Sequence, residues 1–318
     1  MATMETVGFI GLGNMGGAMA ERIQKAGHKL TVHDLREGAM APFRERGAST
    51  AGSPAELARR CTLIFSSLPS PIEVEQVALG PGGLVEGIQP GAVYVDLTTS
   101  GVTLIRRIYA IFQDKGVQVL DAPLSGGRDE LLRGEQEVTV GGEAEALERA
   151  RPVLNAFANQ ILHAGPIGSG TICKLVHNQL MRGVFQVIAE GMTLGVKAGV
   201  DAEILWEAVR RGLFGKMNPL HVTLPATVFR GQYEPASYTL ALALKDIALA
   251  TSLAREFKVP MPVANLVEQV NIQAVNRGWG QRSSSVSFLL QEEAAGVEVR
   301  ADIDPKKAAR YITTHPEQ

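Results

Sequence analysis

Val7-Gly8-Phe9-Ile10-Gly11-Leu12-Gly13-Asn14-Met15-Gly16 is the stretch from which the rest of the chain can be read. Its first four residues are a short apolar run, which predicts a buried strand. The pattern G-x-G-x-x-G follows at once and opens a helix predicted to reach about Ala26. Gly11 permits the tight turn, Gly13 lets a pyrophosphate approach the backbone, and Gly16 allows close packing of helix on strand. The helix N-terminus then faces the phosphate with its unpaired N–H groups. A second predicted strand at 30–33 ends at Asp34, 23 residues after Gly11, where an acid takes a ribose 2′-hydroxyl. Gly11, Leu12, Gly13, Asn14, Met15, Gly16 and Asp34 therefore make a candidate dinucleotide site. The Asp34 carboxylate repels a 2′-phosphate and favours NAD, while Arg36 leaves NADP possible.

Moving outward, apolar runs at 63–66, 93–96, 117–120 and 137–140 predict further strands. Because they are continuous rather than alternating, they fit strands covered on both faces, as in a parallel, doubly wound α/β sheet. Ser53-Pro54-Ala55-Glu56 supplies a helix start with an N-cap, Pro at the first helical position and Glu at the third. After about Gly165 the pattern becomes helical. Leu175, Val176, Leu180, Val184 and Ile188 predict one long helix from Ser169 to about Gly199, and further helices are expected at 202–211, 239–257 and 262–277. The expected domains are an α/β dinucleotide-binding domain at 1–164 and an all-α domain at 165–296 entered by the long helix, followed by a tail at 297–318.

Composition narrows the function classes. The chain has 318 residues with 31 Lys+Arg against 33 Asp+Glu, a formal charge of -2, so nothing pulls it toward nucleic acid or an anionic membrane. The 34 glycines exceed ordinary usage without a collagen period. Cys61 and Cys173 form no disulfide framework, which points to a cytoplasmic protein, and no apolar run is long enough to span a membrane. Cys173 reads as a small buried residue. His163, His177 and His221 have no metal-ligand or triad spacing, so no metal is expected.

Three other segments stand out. Asp121-Ala122-Pro123-Leu124-Ser125-Gly126-Gly127 offers consecutive backbone N–H groups and a hydroxyl suited to a carboxylate, or equally a plain glycine-rich turn. Gly168-Ser169-Gly170-Thr171-Ile172-Cys173-Lys174 enters the long helix, with Asn178 one turn on from Lys174 on the same face. The helix start and burial both lower the pKa of a lysine there, although a helix lysine taken alone reads as solvated surface. Lys245-Asp246, taken alone, reads as a salt-bridged helix face.

Together, GLGNMG, DAPLSGG, GSGTICKLVHN and KDIALA, in this order, resemble the β-hydroxyacid dehydrogenase family, which includes 3-hydroxyisobutyrate dehydrogenases and tartronate semialdehyde reductases. The resemblance implies a Rossmann domain joined by the long helix to an all-helical domain, with subunits pairing through the helices as a homodimer or homotetramer. It implies that Lys174 is the general acid/base, that Ser125, Gly126 and Gly127 hold a small substrate's carboxylate, and that Asn178 hydrogen-bonds the substrate. Leu68, Pro69, Glu73, Thr99 and Lys245 would join the cofactor site. The implied activity is NAD-dependent oxidation of a small 3-hydroxy acid, or reduction of the matching semialdehyde. An imine or ketimine reductase of the same architecture and a non-catalytic dinucleotide-binding protein are the alternatives.

One segment departs from the family pattern. Where relatives carry small, weakly polar residues, this chain reads Arg128-Asp129-Glu130-Leu131-Leu132-Arg133-Gly134-Glu135-Gln136-Glu137, and only Gly134 keeps the pattern. The segment is expected to be a solvated flank, or to use Arg128 on a second acidic group of the substrate.

Overall fold

The computed structural model describes residues 5–304. Its strands are β1 (Val7–Ile10), β2 (Leu30–His33), β3 (Ser49–Thr50), β4 (Leu63–Ser66), β5 (Val93–Asp96), β6 (Gln118–Asp121), β7 (Leu124–Ser125), β8 (Gln136–Gly141) and β9 (Ala158–Gly165). They form one sheet in the order β3-β2-β1-β4-β5-β6-β8-β7, with β9 paired to β8. From β3 to β6 every pairing is parallel, whereas β8 runs antiparallel to β6 and β7. The fold is thus Rossmann-like, with a mainly parallel sheet and helices after it.

Both faces of the sheet are covered, which is why the strands read as unbroken apolar runs. Alternate residues point to opposite faces. Phe9, Phe65, Val93 and Val95 enter one buried cluster, and Ile10, Ile64, Tyr94 and Val119 enter the other. Phe9 and Phe65 are directly paired in register, and their rings stack with centroids 6.4 Å apart. Burying each such side chain is worth roughly 1.5–3 kcal/mol.

The predicted strands at 30–33, 63–66 and 93–96 are found as read, and those at 117–120 and 137–140 within a few residues. Three strands were not foreseen. β3 and β7 have only two residues each, too short for any periodicity, and β9 mixes polar and apolar residues without alternation and is buried only at Ala158. The helix start at Ser53 forms as read on one side, since Ser53 Oγ accepts the Glu56 N–H at 3.1 Å. The Glu56 carboxylate, however, accepts from Gly52 N rather than closing back on Ser53.

By internal contacts the chain divides into two compact units, one ending at Leu180 and the other beginning at Met181. That division falls inside the helix Ser169–Lys197. The second unit is built of helices that include Ala202–Arg211, Leu240–Glu256, Pro262–Ala274 and Phe288–Ala295. Its small buried clusters centre on Leu194, Ala254 and Met261, and on Val228, Leu240 and Val286. Glu190, itself buried, accepts the Val263 and Ala264 N–H groups at 3.0 and 3.1 Å and so caps the helix Pro262–Ala274. Of the tail expected at 297–318, residues 305–318 lie outside the described residues.

Cys173 corrects the sequence reading: it is exposed, not buried. Ile172, Leu175, Val176 and Leu180 of the same helix are exposed with it.

Candidate active site in the first unit

Strand order reverses between β1 and β4, and ligands of open α/β sheets bind outside the carboxyl ends of strands at such a point. The glycine turn sits there. Gly11 has φ of +89°, and a Cβ on it would lie 2.3 Å from the Ser67 carbonyl oxygen. A Cβ on Gly16 would lie 2.0 Å from the Gly11 carbonyl oxygen. Gly13 differs from both, because a Cβ there would meet nothing within 4 Å. It is also the N-cap of the helix Asn14–Lys25 and offers no side-chain cap. The backbone N–H groups that follow, at Asn14, Met15 and Gly16, belong to the turn that has no intrahelical partner. An anion-binding cradle with open space at Gly13 fits a dinucleotide pyrophosphate.

Asp34 joins this turn. Its carboxylate accepts the Leu12 N–H at 2.7 Å and the Arg36 N–H at 2.8 Å, and pairs with the Arg36 guanidinium at 3.0 Å. Partial burial works against the charge, but the hydrogen bonds from Arg36 and Leu12 prevail and hold the carboxyl below its ordinary range. The acid is therefore ionised and fixed in place, with a cation beside it.

The remaining cofactor candidates fall in different settings. Leu68 N donates to Thr98 Oγ1 at 3.0 Å, beside the exposed Thr99, and the Leu68 side chain lies against Gly11. Pro69 is exposed. Glu73 accepts from Ser70 Oγ at 2.5 Å at the start of the helix Pro71–Leu79, so its carboxylate serves that helix end. Lys245 belongs to the second unit, where it is exposed and pairs with Asp246 at 3.1 Å.

The substrate-side candidates converge on Ser125. Lys174 Nζ donates to Ser125 Oγ at 3.4 Å. Burial lowers the pKa of the Lys174 amine, and the negative charge of Glu137 works the other way. Gly126 has φ of +125°, which lets the chain turn out of β7. Gln136 Nε2 then ties down the loop by donating to the Gly127 carbonyl at 2.6 Å. Asn178 lies one turn beyond Lys174 and is partly buried.

The segment after Gly127 is a helix, Arg128–Arg133, and its side chains at Arg128, Asp129, Leu132 and Arg133 are exposed. Glu130 accepts from Gly127 N at 2.9 Å, Leu131 is buried, and Gly134 ends the helix in the left-handed region at φ of +80°. Arg22 holds its far end by donating to the Leu132 carbonyl at 2.7 Å. Arg128 itself is exposed.

Two acids matter here that sequence reasoning left without a role. Asp121 ends β6 fully buried and accepts Gly168 N at 2.7 Å and Thr171 N at 2.6 Å. It thereby caps the helix that carries Lys174. Asp96, directly paired with Asp121 in the neighbouring strand, accepts from Ser66 Oγ at 2.9 Å and Thr98 N at 3.1 Å. Burial, with the Asp121 charge adding to it, raises the Asp96 carboxyl to about 6. A carboxylate at the last position of a buried strand was the available signal for both.

Known proteins bear on this arrangement. Residues 6–165 match the family model described as the NAD binding domain of 6-phosphogluconate dehydrogenase. Residues 168–291 match that described as NAD-binding of NADP-dependent 3-hydroxyisobutyrate dehydrogenase. An NAD-dependent L-serine dehydrogenase of Pseudomonas aeruginosa is 34% identical over 92% of this chain and 100% of its own. The chain belongs to the β-hydroxyacid dehydrogenase family.

As a β-hydroxyacid dehydrogenase it is an NAD(P)-dependent oxidoreductase. A 3-hydroxyisobutyrate dehydrogenase of the same bacterium is 33% identical, over 84% of this chain and 91% of its own. An imine reductase variant from Myxococcus stipitatus, solved with NAD+, superposes with a TM-score of 0.80 over 91% of this chain and 99% of its own. At 19% identity that likeness shows the shared fold alone. Among the described residues of this dehydrogenase no helix is long and apolar enough to cross a membrane, and no group of His, Cys, Asp and Glu is arranged to hold a metal ion.

Proposed function

We propose that this protein oxidises a small 3-hydroxy acid to the corresponding semialdehyde, with Lys174 as the general base, and reduces the semialdehyde in reverse. The observation that carries the reading is the approach of the partly buried Lys174 amine to Ser125, 3.4 Å away, at a loop suited to a carboxylate. The substrate carboxylate docks on Ser125 and the Gly126 and Gly127 backbone, taking the place of the Glu130 carboxylate on Gly127 N, with a further hydrogen bond from Asn178. That orients the hydroxyl toward Lys174 Nζ. NAD, when bound at Gly11–Gly16 and Asp34, supplies the two-electron acceptor for the carbinol hydride.

In the oxidative direction the hydroxyl proton passes to neutral Lys174, the carbon–oxygen double bond forms, and the carbinol hydrogen leaves as hydride. In reduction, charged Lys174 returns the proton. General acid–base help of this kind contributes about 10²–10⁴-fold. Leu68, Pro69 and Thr99 line the cofactor side in this reading, Glu73 stands at its edge, and Lys245 completes the cofactor set that the family resemblance implies. The functional domains are taken as 1–164 and 165–296, with a terminal segment from 297.

NAD is the preferred cofactor in this reading because Asp34 stays charged, and Arg36 beside it keeps NADP admissible. A second copy of the chain covers the exposed apolar side chains of the helical half, among them Leu180, Phe185, Trp206 and Leu266, giving a homodimer or homotetramer in the cytoplasm. Assay of 3-hydroxyisobutyrate, glycerate, threonate, 2-(hydroxymethyl)glutarate, 4-hydroxybutyrate and a cyclic imine, each with NAD and NADP, tests the function. Turnover of a 3-hydroxy acid with NAD supports it, and turnover of the imine alone refutes it. A monomer by light scattering refutes the assembly.

A further inference from the structure

Glu137 has a position that the reaction as described does not use. In the antiparallel pair of β7 and β8 it stands directly opposite Ser125. Directly opposed residues of such a pair place their side chains on the same face, with Cβ atoms about 4.5–5.5 Å apart. Ser125 Oγ is in turn the group that Lys174 Nζ reaches. The Glu137 side chain therefore shares a face with Ser125, and its charge acts on Lys174.

Among the described residues the exposed Glu137 carboxylate makes no side-chain hydrogen bond and no ion pair within 4.0 Å, and the cation its charge acts on is Lys174. The neighbouring acids are occupied: Arg133 pairs with Glu135 at 2.6 Å, and Glu130 accepts from Gly127 N. The Ser125–Gly127 loop thus has a carboxylate beside it whose cationic neighbour, Lys174, is neutral in the oxidative direction. For a substrate that is only an anion this charge is a cost. For a zwitterion it is a counter-ion.

We propose that Glu137 selects substrates carrying an ammonium group on the carbon next to the carboxylate, so that the preferred class is β-hydroxy-α-amino acids. The proposal rests on the oxidation reading above. Serine and 3-hydroxyisobutyrate test it closely, because they differ by an ammonium group in place of a methyl group at that carbon. Carboxylate on the loop, hydroxyl on Lys174 and ammonium on Glu137 then hold the substrate at three points and fix which hydrogen is transferred.

The experiment compares kcat/KM for L-serine and 3-hydroxyisobutyrate in the wild type, Glu137→Gln and Glu137→Thr. Because the Glu137 charge also acts on Lys174, the quantity read is the serine-to-hydroxyisobutyrate ratio, in which that effect cancels. The ratio is expected to fall at least tenfold in both variants. An unchanged ratio overturns the proposal. Dissociation constants of both acids from the NADH-loaded protein are measured alongside. If neither acid is turned over, the oxidation reading fails, and the Glu137 claim still stands or falls on the ratio of those constants.

Discussion

Lys174 Nζ lies 3.4 Å from Ser125 Oγ, which brings the start of the helix Ser169–Lys197 against the strand that leads into the Ser125–Gly127 loop. What fixes that approach is Asp121, at the end of β6. Its two oxygens take one N–H each from Gly168 and Thr171, at 2.7 and 2.6 Å. Charge-assisted hydrogen bonds to a helix N-terminus are short and strong, and leaving such donors buried without a partner is costly.

Asp121→Ala is therefore expected to lose roughly 2–4 kcal/mol of stability by chemical denaturation. Asp121→Asn, which keeps one carbonyl oxygen, should lose less. In both variants kcat should fall further than NAD affinity does. An alanine variant of wild-type stability would contradict the capping role.

The glycine turn separates a folding requirement from a binding requirement. Gly16→Ala forces a Cβ to 2.0 Å from backbone oxygen and should cost about 1–3 kcal/mol by overpacking. Gly13→Ala meets nothing in the protein, so its melting temperature without cofactor should match the wild type. NAD affinity should nevertheless drop at least tenfold, because the methyl group enters the space left for pyrophosphate. Calorimetry on both variants reads the two effects apart.

Oxidation needs Lys174 neutral, so kcat/KM for the hydroxy acid should rise with pH to a plateau and reduction should show the opposite limb. Burial lowers the Lys174 pKa and Glu137 opposes that shift. Removing the carboxylate in Glu137→Gln should move the oxidative limb to lower pH. A limb that moves to higher pH would contradict the assigned coupling.

Asp96 should leave a mark on stability. Its folded-state pKa of about 6 lies above the ordinary 3.8, so the folded protein holds this proton more tightly than the unfolded chain. The associated stability is fully present below about 3.8 and is lost as pH rises through about 6, a total of roughly 3 kcal/mol. Asp96→Asn removes the titration. Between pH 4.5 and 7.5 its urea midpoint should therefore gain on the wild type by an amount worth roughly 2 kcal/mol. Parallel pH profiles would refute the assignment.

Much of this was legible in the sequence, for identifiable reasons. The strands β1, β4 and β5 are buried on both faces and so appear as largely apolar runs, and the turn at Gly11 announces itself by glycine spacing. The two-residue strands β3 and β7 carry no period to detect. The capping by Asp121 joins residues 47 and 50 positions apart, a tertiary pairing that no local pattern encodes. Cys173 was misread because a small residue beside apolar neighbours looks like core, whereas this helix face is exposed in the chain. Glu137 looked like one more charge in a polar segment until β8 paired it with Ser125.

The central claim is that Lys174 moves the proton, and the direct measurement is steady-state turnover of Lys174→Ala set beside its NADH dissociation constant. The account predicts that kcat/KM falls about 10²–10⁴-fold while NADH binds within about threefold of wild type. Turnover equal to the wild type would contradict it.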